Sequence, residues 1–201
     1  MKRLRILVGC ERSGEVRNAF RLLGHDAWSC DLVRSDDNSP YHYVIDLLKL
    51  IKLYWDILIC HPPCTHLAVS GARWFNHPAF PNKQQQQKQA IEFFLTLYNC
   101  NIPKVCIENP IGVMSTVFRK PDQIIQPWRF GHGERKATCL WLKNLPKLIE
   151  KPYVDFEPLD PDRITNLFLT IHNKEELSRL RSKTYHGIAL AMADQWGGKV
   201  N

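Results

Sequence analysis

Ile6-Leu-Val-Gly-Cys-Glu-Arg-Ser-Gly-Glu-Val-Arg-Asn-Ala-Phe20 is the stretch on which the fold turns. Ile6 to Val8 read as a short buried strand, and Gly9 and Gly14 punctuate a loop. The residues that follow carry the apolar spacing of an amphipathic helix running to about Leu23, which Gly24 ends. Ala27-Trp-Ser-Cys-Asp31 then reads as a second strand closing on a carboxylate. Strand, glycine loop, helix and an acid about 20 residues on is a layout that holds a nucleoside, the acid taking the ribose hydroxyls. No G-x-G-x-x-G is present, so the loop alone is a weak signal. Asp46, after Tyr43-Val-Ile45, is either a further contact of this kind or only the cap of a helix from Leu47 to Leu53. The expected fold is α/β, a doubly wound and mostly parallel sheet with helices on both faces.

A second segment, Asp56-Ile-Leu-Ile-Cys-His-Pro-Pro-Cys-Thr65, places chemistry on that frame. Ile57 to Ile59 read as a buried strand, and Pro62 and Pro63 stop it and stiffen the loop at its carboxyl end. Open α/β sheets put their active sites there. Cys64 is thereby presented on a rigid corner, as a nucleophile requires, and cysteine is the strongest nucleophile at neutral pH. A structural cysteine after a turn is the plainer alternative. A zinc site of Cys60, Cys64 and His66 lacks a fourth ligand, and no paired C-x-x-C or H-x-x-x-H stands elsewhere to supply one. No metal is therefore expected. Lys104-Val-Cys-Ile-Glu-Asn-Pro110 reads as another strand, with Glu108 at its end and on the same rim as Cys64 if the sheet is parallel. His61, His66 and His132 read as surface histidines or as assistants to this site.

The remaining chain is consistent with one domain, residues 1–201. Its 201 residues and 44% hydrophobic composition suffice for a single α/β core. Asn82 to Tyr98 read as one long helix with an exposed glutamine-rich start and a buried apolar end. Lys147 to Asp162, with Pro152, Pro158 and Pro161, read as an extended surface segment, and Asn173 to Leu180 as a short helix. Trp74 and Phe75, after Ser70-Gly71-Ala72-Arg73, are candidates to stack on a base or to line the loop behind Cys64. The 27 Lys+Arg against 20 Asp+Glu give a formal charge of +7, which suits a polyanionic partner without requiring one. Seven cysteines without regular spacing indicate a reducing cytoplasm. Neither a signal peptide nor a membrane span is expected.

Taken together, these motifs resemble the cytosine-C5 DNA methyltransferase family. Pro63-Cys64 is similar to its proline-cysteine corner, with Thr65 where the family has glutamine. Ile107-Glu108-Asn109 is similar to its glutamate-asparagine corner, with Pro110 in place of valine. Gly133-Glu-Arg-Lys-Ala-Thr-Cys-Leu-Trp-Leu142 resembles the basic motif near the target base, and Thr184-Tyr-His-Gly-Ile-Ala-Leu-Ala-Met-Ala193 the final motif that closes the cofactor pocket. The resemblance covers most of the chain in the right order, and is nearest to compact methylase-like proteins of bacteriophages and prophages, hence a bacterial cytoplasm.

What the resemblance implies is a Rossmann-like methyltransferase fold using S-adenosylmethionine, held by Gly9, Gly14, Asp31, Asp46 and Pro63. It implies catalytic roles for Cys64, Glu108, Arg135 and Lys136, and substrate contacts from Pro62, Thr65 and Asn109. The thiolate of Cys64 adds to carbon 6 of cytosine, and Glu108 holds the ring N3 and the exocyclic amine. In DNA the base must be flipped out or already single-stranded, and Arg135 and Lys136 then hold the phosphate beside it. Only residues 146–182 stand where the family inserts a target-recognition domain, too few for a core of their own. That shortage implies little sequence preference, or a partner protein that supplies it. Two alternatives follow: a catalytically inactive module that binds DNA or cofactor in phage counter-defence or regulation, and methylation of a free cytosine nucleotide.

Overall fold

The computed structural model describes residues 2–68, 81–160, 162 and 169–200. Among these residues seven strands form one sheet: β1 (Arg5–Gly9), β2 (Asp26–Asp31), β3 (His42–Val44), β4 (Ile57–Cys60), β5 (Lys104–Pro110), β6 (Gln123–Ile125) and β7 (Thr138–Lys143). They are ordered β3-β2-β1-β4-β5-β7-β6. The five strands from β3 to β5 run parallel, whereas β7 is antiparallel to both its neighbours. This order with its reversed strand is a Rossmann-like methyltransferase fold, doubly wound as the sequence predicts. The order changes direction between β1 and β4, and clefts in open α/β sheets form at such switch points.

Alternation along the strands builds a core on each face. Ile6, Val8, Ile57, Ile59 and Cys106 turn to one face, where they meet α1 (Glu15–Leu22) and a later helix over His186–Met192. Leu7, Leu58, Cys60, Val105 and Ile107 turn to the other face. There they pack with α2 (Leu47–Leu50), α3 (Lys83–Tyr98) and α4 (Met114–Val117). The residues from Ile57 to Ile59 are fully buried, each contributing about 1.5–3 kcal/mol by transfer from water. A strand buried on both faces shows a continuous apolar run, which is why β4 is legible in the sequence.

Local chemistry fixes the helix starts. Glu11, buried in the loop after β1, accepts the N–H groups of Val16 (2.7 Å) and Arg17 (3.3 Å) and so caps α1 from outside the helix. Gly14 enters that helix at φ +76, where a Cβ would also collide with the Arg17 guanidinium. Asp46 caps α2 by accepting from the Leu48 N–H at 2.9 Å. That helix stops at Leu50, short of the predicted Leu53, and the Leu50 carbonyl accepts both the Leu53 N–H (3.0 Å) and the indole N–H of Trp55 (2.9 Å). In the expected insert, residues 147–160 lack helix and strand. Asn173 then caps α5 (Lys174–Ser182), its side chain accepting from Glu175 and Glu176. The helix over His186–Met192 is α6. No helix among the described residues is long and apolar enough to cross a membrane.

Candidate active site

Register sets the site. Gly9 pairs with both Cys30 and Cys60, and Cys60 with Ile107. The next residue of each chain, respectively Cys10, Asp31, His61 and Glu108, therefore stands in one row along the carboxyl rim. Glu108 does not end its strand, as expected from sequence, but lies within β5, paired with Leu140. The reversed β7 extends the ladder to Pro110.

The Cys64 corner is braced from several sides. The His61 N–H donates to the Gly9 carbonyl (3.0 Å), and the Asn109 amide donates to the Pro62 carbonyl (2.8 Å). The N–H groups of Leu67 and Ala68 both donate to the Cys64 carbonyl at 2.9 Å, closing a tight turn. Gly112 lies so close behind that a Cβ would stand 2.1 Å from the Leu67 carbonyl oxygen. Asn109, read from sequence as a substrate contact, is 2% exposed, and its side-chain N–H braces the corner. Pro62 is buried, while Pro63, Cys64 and Thr65 are exposed.

Electrostatics couple the thiol to its neighbours. Cys64 is exposed as a residue, yet its thiol is partly desolvated by the surrounding protein. This desolvation, followed by the charge of Glu108, pushes the thiol above its usual range. The charges of Lys136 and Arg181 pull the other way. Glu108 is within 2.9 Å of His61, Oε2 to Nδ1. Burial alone would raise the carboxyl; the His61 bond and the charges of His61 and Lys136 overcome it and hold Glu108 below the usual range. Burial would lower His61, and its pairing with Glu108 together with the charge of Glu11 raises it instead. Burial, opposed by Glu108, lowers the Lys136 ammonium, whose Nζ donates to the Arg181 carbonyl at 2.5 Å.

Two cavities flank the row. One, about 670 Å³, is lined by Cys10, Glu11, Ser13, Asp31, His61 and Cys64 among others; the second, about 620 Å³, by Asp31, Leu32, Ile45, Asp46, Pro63 and Phe93. Both fall in the range of small-ligand sites. Gly9 and Gly14 shape the loop without lining either cavity, and the missing Cβ of Gly9 leaves room for Leu47. A third space of about 370 Å³ is lined by Lys136, Arg181 and Tyr185. Arg135 is exposed and lies outside all three linings. α5 borders the first cavity through Glu175, Glu176, Arg179 and Ser182. It is tied to the rim by Arg179–Asp36 (3.5 Å), and the residue after it, Lys183, pairs with Glu15 at 2.8 Å. Trp74, Phe75 and residues 70–73 lie outside the described residues.

The residues fit S-adenosylmethionine on chemical grounds. Asp31 and Asp46 present carboxylates for hydroxyl and amine groups. Leu32, 74% exposed, and Ile45 and Phe93 offer apolar surface for a purine. The buried Nδ1 of His66, which lines the same cavity, has no partner among the described residues. Among the described residues no group of three or more His, Cys, Asp or Glu side chains forms a metal-binding cluster. Cys60 is fully buried, its sulfur 4.0 Å from that of Cys10.

Sequence reading left the role of His61 open between surface histidine and assistant, and did not select Glu11. The partner of His61 lies 47 residues away, and the only local signal was a histidine wedged between an apolar strand and two prolines.

No family model matches the sequence, and no curated protein matches it. Among solved structures the chain is similar to the crystal structure of the S. pombe Dnmt2 methyltransferase, at 15% identity over 73% of this chain and 51% of that one, with a TM-score of 0.44. It is also similar to the Entamoeba histolytica methyltransferase EhMeth, at 12% identity over 83% of this chain and 60% of the other, with a TM-score of 0.49. The chain thus spans between half and three fifths of the length of these two proteins.

Proposed function

We propose that this protein is an S-adenosylmethionine-dependent methyltransferase acting on carbon 5 of cytosine in DNA through a covalent Cys64 adduct. The observation that carries the reading is the shared rim: an exposed thiol on a braced corner, coupled electrostatically to the paired carboxylate of Glu108. Asp31, Asp46, Leu32 and Ile45 would hold the cofactor, which supplies an electrophilic methyl group when bound. The protein's own residues do the rest. The Cys64 thiolate forms a bond to carbon 6, and the electron pair of the ring double bond moves to carbon 5. Glu108 accepts a hydrogen bond from the exocyclic amine and fixes the ring. Lys136, half-buried and electrostatically coupled to both, offsets negative charge as it builds in the ring. After methylation the carbon 5 proton leaves to solvent or a base, and its electron pair restores the double bond as the sulfur departs.

The formal charge of +7 favours a nucleic acid, whose binding then weakens as salt rises. One observation favours a smaller acceptor: α5 borders the cavity beside Cys64, as a cover for a free nucleotide would.

The test is transfer of radiolabelled methyl to cytosine-containing DNA, with dCMP as a second acceptor and Cys64→Ala as control. Label on DNA should fall to background in the variant. DNA bearing 5-fluorocytosine should form a denaturation-resistant complex with the wild type, because fluorine cannot leave as a proton does. Label on dCMP alone moves the substrate to the nucleotide pool. Cofactor or DNA binding with no label on either acceptor leaves the inactive binding module.

A further inference from the structure

His61 is nine-tenths buried, and its ring makes one hydrogen bond, between Nδ1 and Oε2 of Glu108. Its Nε2 is buried with no partner among the described residues, and the residue lines the cavity that also holds Cys64. Because Glu108 is an acceptor, Nδ1 carries the proton. The charged and titratable groups facing the imidazole come from three other elements: Glu108 on β5, Glu11 after β1 and Lys136 before β7. Cys64 shares its own loop. Glu11 already accepts from Val16 and Arg17, so Glu108 is the carboxylate that His61 orients.

We propose that His61 sets which pyrimidine the site accepts, by holding Glu108 as a fixed acceptor whose other oxygen receives an exocyclic amine. This inference rests on the cytosine reading above and deepens it by naming the residue on which base choice depends. A carboxylate attracts the N–H of an amine at ring position 4. A carbonyl at that position, as in uracil, sets acceptor against acceptor and leaves both unpaired. A protonated Glu108 would donate to that carbonyl, and the preference would vanish. His61 prevents this in two ways: its bond fixes the carboxylate's orientation, and its charge opposes the burial that would otherwise protonate the acid. It is a positioning residue acting through Glu108.

The experiment compares kcat/KM for methyl transfer to a mixed-sequence DNA pool containing cytosine with one carrying deoxyuridine in its place, across pH. The ratio cancels the titration of the Cys64 thiol, which both reactions share. Wild type should favour cytosine by at least about a hundredfold, with a ratio flat down to about pH 5. His61→Ala should lose at least about tenfold of that ratio at neutral pH. His61→Asn keeps an N–H near the position of Nδ1 but carries no charge. Its ratio should hold at alkaline pH and fall on the acid side, as Glu108 takes up a proton at higher pH than in wild type. Label on cytosine with superimposable profiles in both variants overturns this inference alone. If His61→Ala does not fold, an unshifted His61→Asn profile is enough to overturn it. Absence of label with wild type overturns the cytosine reading and this inference with it.

Discussion

Cys64 enters any reaction largely as a thiol, because local desolvation and then the negative charge of Glu108 both oppose its ionisation. Its reactivity should therefore climb with pH beyond the range where an unperturbed cysteine has levelled off. Glu108 is held below the ordinary carboxylate range and stays charged throughout that titration. Glu108→Gln removes the charge and should lower the thiol's pKa, so that iodoacetamide labels Cys64 faster at about pH 8 than in wild type. Unchanged labelling in the variant would mean that the two side chains do not sense each other. The His61–Glu108 pair also has a defined pH window. Glu108, lowered when folded, contributes stability present above its unfolded value of 4.5 and lost as pH falls through the folded value. His61, raised when folded, contributes stability present below 6.5 and lost as pH rises through the folded value. Both contributions are complete between those two pH values.

At the scale of elements, the Cys64 corner depends on a contact with a backbone distant in sequence. The Ala68–Gly112 bridge and the Val113 N–H donating to the Leu67 carbonyl at 2.8 Å pack the turn against the segment after β5. Gly112→Ala drives a Cβ into the Leu67 carbonyl and should cost roughly 2 kcal/mol or more, since neither backbone yields cheaply. Chemical denaturation measures the loss, and Cys64 labelling should change with it; wild-type stability would show that the turn shifts freely. Elements made by local rules were legible in the sequence. β1, α1, β2, β4 and α3 declare themselves through apolar runs, helical spacing and a terminating glycine, and Cys64 and Asp31 follow from their ends. Others depend on distant partners. The place of Glu108 inside β5 is decided by β7, whose reversed pairing no local pattern announces. Glu11 has no local mark of its role until α1 folds onto it, and the role of His61 stays open until β4 and β5 align.

Across the whole molecule, ion pairs tie α5 and the residues after it beside the first cavity. Arg12 and Arg179 share Asp36, and Lys183 and His186 share Glu15. Exposed pairs of this kind contribute about 0–1 kcal/mol each and weaken in salt. Limited proteolysis near residues 171–183 should therefore accelerate between about 0.1 and 1 M salt while the sheet remains intact. A cleavage rate indifferent to salt would assign the hold to other contacts. In the proposed reaction, the residue that reads the base and the residue that attacks it are mounted differently. Glu108 belongs to a strand that pairs with β4 up to Ile107 and with β7 as far as Pro110, so the sheet holds its backbone. Cys64 rides on a short turn outside the sheet. In the proposed reaction both groups are thus set before a ring arrives, the carboxylate by the sheet and the thiol by its braced turn, and the ring must match the spacing between them.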